Sequence, residues 1–157
     1  MEKHSAIIAG QMNGKPVNYS GIGRDALVST KTIQEYYSIL VDMMVSVRIN
    51  GWSQSVRKQM RSAPKYYFFD CGVLNAIRGE IDIQPRPGTY RYGMLFETCI
   101  IQECVRLNDY FESGYEFFYW QTNSGVEVDF IAVKKNISEV HAVEIKSETK
   151  PRMDSLH

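Results

Sequence analysis

The sequence predicts an α+β chain in two parts: a winged helix-turn-helix over residues 1–63, then an α/β domain with a mixed sheet over residues 64–157. Three observations carry this expectation. Two short helical patterns joined by a tight turn precede two strand-like runs. A long apolar helix pattern runs from Tyr92 to Tyr110. Two alternating runs, Val126–Val133 and His141–Ser147, stand near the end. Side chains recur on one helix face every three to four residues and alternate faces along a strand, so the two periods separate the elements.

The elements follow in order. Ser5 to Met12 is apolar enough for one helix, and Gly14-Lys15-Pro16 breaks it. Asn18 or Ser20 can cap a second helix through Arg24-Asp25-Ala26-Leu27, because a short oxygen-bearing side chain satisfies the free N–H groups of a first turn. Ser29 and Thr30 suit the cap of a third helix with Ile33, Tyr36, Tyr37, Leu40 and Val41 on one side. Val45–Ile49 reads as a strand, Trp52–Ala63 as a basic connection and Lys65–Phe69 as the returning strand. Helix, turn, helix and basic hairpin together are winged-helix grammar. The alternative is a small helical module that packs on a neighbouring domain and never meets DNA. Pro85, Pro87 and Gly88 place a loop before the long helix, which carries so many apolar residues that it should be largely buried. Phe117–Trp120 is an aromatic strand, and Gln121–Gly125 turns it into the first alternating run.

Composition narrows the function classes. The 157 residues include no apolar stretch long enough to span a membrane and no secretory leader pattern. Cys71, Cys99 and Cys104 lack paired spacing, so they read as small buried hydrophobes in a reducing cytoplasm. Three scattered histidines argue against a zinc site or a serine triad. Net charge is zero, yet residues 1–61 hold eight Lys or Arg against four Asp or Glu. That local excess of four marks the N-terminal part as the nucleic-acid side. Gly10–Pro16 resembles a phosphate-binding loop, but it is one residue short between its glycines and has Pro16 where a hydroxyl is needed. No nucleotide site is expected.

The alternating runs carry the chemistry. Val126, Val128 and Phe130 should share one face and Glu127 and Asp129 the other, while Glu144 and Lys146 share a face of the second run. Paired as a hairpin, the runs can bring Asp129, Glu144 and Lys146 together. Carboxylates hold a hard divalent cation, and a lysine steadies an attacking water or developing charge. Charged residues on an outer strand face are the plainer explanation. Glu97 sits inside the long apolar helix, where a carboxylate needs a partner, and is a third acidic candidate; a solvent-facing residue or a salt bridge would explain it equally.

The order of helix with glutamate, strand, strand with aspartate and strand with Glu-x-Lys resembles the PD-(D/E)xK restriction-endonuclease-like fold. More specifically, Val28–Tyr36, Pro64–Gly72, Gly93–Glu97, Phe118–Trp120, Gly125–Phe130 and Val143–Ser147 resemble a family of prokaryotic AAA+-type ATPases with a C-terminal domain of unknown function. The resemblance implies a winged helix followed by a nuclease-like domain. It implies that Glu97, Asp129 and Glu144 ligate Mg2+ or Mn2+, that Lys146 is the catalytic lysine, and that Gln121 and Ser147 line the pocket. The ATPase module of that family is missing here, and the domain looks C-terminally truncated, so an open sheet face should favour a homodimer. Three functions follow as expectations. One is a metal-dependent nuclease. Another is a DNA-binding module whose Lys31, Arg57, Lys58 and Arg61 meet phosphates and whose Gln34 reaches a base edge. The third is an interaction module that docks on the ATPase.

Overall fold

The computed structural model describes residues 2–53, 55, 57, 62–122, 124–134 and 139–147. Helices α1 (Glu2–Gln11), α2 (Tyr19–Asp25) and α3 (Thr30–Asp42) come first, followed by strands β1 (Ser46–Gly51) and β2 (Lys65–Phe68). Helices α4 (Cys71–Ile77) and α5 (Tyr90–Tyr110) lead to β3 (Glu116–Gln121), β4 (Glu127–Lys134) and β5 (Glu139–Val143). The caps explain the helix starts. Asn18, Ser29, Asp70 and Thr89 each accept a hydrogen bond from a backbone N–H of the first turn, at Gly21, Thr32, Val73 and Tyr92 respectively. No helix among the described residues is long and apolar enough to cross a membrane.

The strands form one mixed five-stranded sheet in the order β2-β1-β3-β4-β5. β1 pairs antiparallel with β2 and parallel with β3; β3, β4 and β5 follow as antiparallel neighbours. The β1–β2 hairpin, read from the sequence as a wing, pairs into the sheet, and the expected boundary at residues 63 and 64 lies between two of its paired strands. The segment from Gly14 to Val17 covers the outer edge of β2: Gly14 donates to Tyr66 O and Val17 to Pro64 O. An edge so covered is closed to further pairing.

Two apolar clusters flank the sheet. Tyr66 and Phe68 pack with Ala9, Val17, Ile33, Tyr37, Leu74, Met94 and Leu95, which joins the N-terminal helices to the start of α5. Ile49, Tyr67, Tyr119 and Phe130 pack beneath Ile101 on the other face. α5 is amphipathic instead of buried all round: Met94, Leu95, Thr98, Ile101 and Gln102 form the buried stripe, while Cys99 and Leu107 are exposed. All three cysteines are free thiols. One buried side chain ties the parts together. The Asn13 amide donates to Thr98 Oγ1 at 2.8 Å, and its oxygen accepts from Phe68 N at 2.9 Å.

Candidate functional site

The site begins with an irregularity in β4. Phe118 pairs with Ile131, yet Trp120 pairs with Val128, so β4 carries one extra residue opposite β3. Such a bulge breaks strict alternation and re-aims side chains. Glu127 consequently reaches Lys65, and Phe130, three residues on, lies on that same side of the sheet in the core beneath α5. This corrects the expectation that Phe130 and Glu127 face opposite ways.

Lys65 is the centre of the arrangement. It is 2 % exposed, its ammonium pairs with the Glu127 carboxylate, and it sits 4.9 Å from the centroid of the Tyr119 ring. Gln121 Nε2 donates to the other Glu127 oxygen at 3.3 Å. Two residues along β2, the Tyr67 hydroxyl donates to Glu97 Oε1 at 2.6 Å. Burial raises the Glu97 carboxyl above its ordinary range; Tyr67 and Lys65 pull it back, and the charges of Asp129 and Glu127 push it further up. Burial, followed by the nearby carboxylates, raises the Tyr67 phenol as well. Gly14, in the loop dismissed as a phosphate cradle, closes over this pair: a Cβ there would lie 3.2 Å from the Tyr67 ring and 3.7 Å from Glu97 Oε1.

The remaining expected residues lie around this cluster. Asp129 Oδ2 accepts from Ile145 N at 2.8 Å, so the carboxylate fixes the chain where it leaves β5. β5 ends at Val143, and Glu144 and Lys146 lie beyond its ladder, paired with each other and about half exposed. Ser147 reaches the first turn of α5, where a Cβ at Gly93 would sit 3.7 Å from its Oγ. Among the described residues no three His, Cys, Asp or Glu side chains are grouped to hold a metal ion. Glu97 and Asp129 are thus electrostatic neighbours, while Glu144 is engaged by Lys146. In the N-terminal part, Lys31 pairs with Glu35 at 3.7 Å on the exposed face of α3. Gln34 is exposed at the rim of a polar pocket of about 220 Å3, and Arg57 is exposed. Lys58 and Arg61 lie outside the described residues.

Lys65, Tyr67 and Glu127 were not among the residues singled out from sequence. The signal for the first two was a lysine inside an aromatic strand, Lys65-Tyr66-Tyr67-Phe68, where a charge would be buried and require an anion. Period two then places Lys65 and Tyr67 on one face.

The family comparison divides the chain near the start of α5. A family model described as a domain of unknown function, DUF8612, matches residues 1–83, more than half of the chain. The chain belongs to the DUF8612 family. A second model, a domain of unknown function DUF4143, matches residues 92–157, in loose accord with the resemblance to ATPase-associated proteins. No curated protein and no solved structure matches. The DUF8612 part supplies Lys65 and Tyr67, and the DUF4143 match covers Glu97, Glu127 and Asp129.

Proposed function

We propose that this DUF8612 chain is a nuclease-like, nucleic-acid-interacting module of an AAA+-type ATPase system that hydrolyses DNA phosphodiesters with Mg2+ or Mn2+. The observation that carries the proposal is Glu97: a largely buried carboxyl pushed upward by burial and by the charges of Asp129 and Glu127. Clustered carboxylates are stabilised by a cation, and oxygen donors suit Mg2+ or Mn2+. Glu97 and Asp129 would hold the ion, which would polarise a phosphoryl oxygen and acidify a bound water. Tyr67 orients Glu97 through its hydroxyl, and Lys65 holds Glu127 in place through their ion pair. The test is cleavage of single- and double-stranded DNA by the purified chain with either ion. Wild type should cut, and Glu97→Gln and Asp129→Asn should each reduce the rate roughly 100-fold or more. Wild type that cuts neither substrate with either ion refutes the proposal.

A second reading is a non-catalytic module that binds DNA or docks on the ATPase. What favours it is the pairing of Glu144 with Lys146, about half exposed beyond the end of β5. It predicts DNA binding or ATPase capture without cleavage, and DNA affinity that falls steeply with salt.

A further inference from the structure

One face of α5 lies against the segment that leads out of β2. The Gln102 amide donates to Tyr67 O at 3.0 Å and to Phe68 O at 2.7 Å, and the Arg106 guanidinium donates to Phe69 O. The Cys71 thiol, at the start of α4, donates to Leu95 O at 3.5 Å. Leu95, Cys99, Gln102 and Arg106 stand at helical spacing, so they share that face. Cys99 is the remaining member of a stripe whose other members all touch the segment from Tyr67 to Cys71. Leu95 O is also the helical acceptor of the Cys99 N–H, so Cys71 Sγ and Cys99 N lean on one carbonyl oxygen. Side chains of a helix tilt towards its N-terminus, which carries the Cys99 thiol back over the Leu95 turn, towards Cys71.

The two thiols differ in their surroundings. Cys99 is exposed and Cys71 half-buried, so neither is the buried hydrophobe that the sequence suggested. Burial pushes the Cys71 thiol up to about 11; Cys99 is the next largest cause, Asp70 adds to it and Arg106 opposes it. Cys104 packs elsewhere, against the cluster of Ile49, Ile101 and Phe130.

We infer that Cys99 and Cys71 are a thiol pair that hydrogen peroxide converts to a disulfide, Cys99 taking the oxidant and Cys71 resolving it. The Cys99 thiolate attacks one peroxide oxygen: an S–O bond forms, the O–O bond breaks, and the leaving hydroxide takes up a proton to become water. The Cys71 sulfur then attacks the Cys99 sulfur: an S–S bond forms, the S–O bond breaks, and the oxygen leaves as a second water with the Cys71 proton. The two thiols lose two electrons and the peroxide gains them. The bond ties α4 to α5, and with them the two family-matched parts of the chain. It is independent of the carboxylate cluster and of any cleavage.

The test exposes the whole chain to hydrogen peroxide. Intact mass, an unreduced peptide map and alkylation by iodoacetamide read the outcome. Before oxidation Cys99 should alkylate fastest of the three cysteines. Afterwards the chain should be lighter by two hydrogens and yield a cross-linked Cys71–Cys99 peptide. Cys99 alkylation should fall about tenfold or more and return with dithiothreitol. Cys104→Ala should behave as wild type. Cys99→Ser, an exposed change whose fold circular dichroism checks, should form no cross-link within the chain. Cys71→Ser should stop at a Cys99 sulfenic acid that dimedone traps. The inference is overturned if peroxide leaves all three thiols free, or if Cys99 goes on to sulfinic acid while Cys71 stays free. A wild-type cross-link through Cys104, or disulfides that join only separate chains, also overturns it.

Discussion

The buried pair of Lys65 and Glu127 allows a quantitative test of the site. The Lys65 side chain is 3 % exposed and that of Glu127 28 % exposed, so the pair is desolvated mainly at the lysine. Lys65→Met keeps the apolar stem against Tyr119 and removes only the ammonium. Removing one partner of a fully buried pair costs about 3–5 kcal/mol. Glu127 retains some water and the Gln121 amide, so the expected loss is about 2–3 kcal/mol. Lys65→Ala removes the buried methylenes as well and should cost about 3 kcal/mol more. The double variant Lys65→Met, Glu127→Gln removes both charges and should return to within about 1 kcal/mol of wild type. Urea unfolding with a shared slope measures each difference. If the double variant loses as much as the two single variants together, the side chains do not interact and the site is misread. If Lys65→Met costs less than about 0.5 kcal/mol, the lysine is not buried against an anion.

Glu97 gives a pH test. Burial holds its carboxyl above the ordinary range, so the folded chain binds a proton that the unfolded chain releases. The contribution is fully present below the ordinary glutamate value and is lost as pH rises through the raised native value. Glu97→Gln should remove this loss, so that its thermal midpoint gains on wild type as pH climbs from about 4 to 8; parallel curves would show an unperturbed carboxyl. Asn13 gives a structural test. Asn13→Ala strands Phe68 N in a buried position, while the Thr98 hydroxyl keeps its bond to Met94 O, and should cost about 1–3 kcal/mol in urea unfolding. A loss below about 0.5 kcal/mol, or unchanged exchange protection at the Phe68 amide, would show that Asn13 does not join α5 to β2.

Local grammar made the helix starts legible. Asn18 and Ser29 are short-range signals whose partners lie three residues away, and both cap as expected. The C-terminal hairpin was legible because alternation and a polar turn are local too. What escaped was everything set by contacts distant in sequence. Nothing in Val126–Val133 announces an extra residue; the bulge is a matter of fit to β3 and the core beneath α5. Lys65 looked like one more charge on a strand because its partner lies 62 positions away. Glu144 and Lys146 drew attention through their spacing, yet spacing does not say where a ladder stops. β5 ends one residue before them, and alternation loses its meaning there.

The two family matches divide the chain in sequence but not in structure. β1 and β2 belong to the first match and β3, β4 and β5 to the second, yet the strands make one sheet. The Asn13 hydrogen bonds cross the same division, from the first match to Thr98 in the second. The charge cluster crosses it as well: Lys65 and Tyr67 come from one side, and Glu97, Glu127 and Asp129 from the other. Separated, the second part would leave Glu127 with the Gln121 amide but without its ammonium, and Glu97 without its phenol. The first part alone would leave Lys65 against an apolar surface with no anion. Whatever chemistry the cluster performs is therefore a property of the joined chain, and its assay belongs on the joined chain.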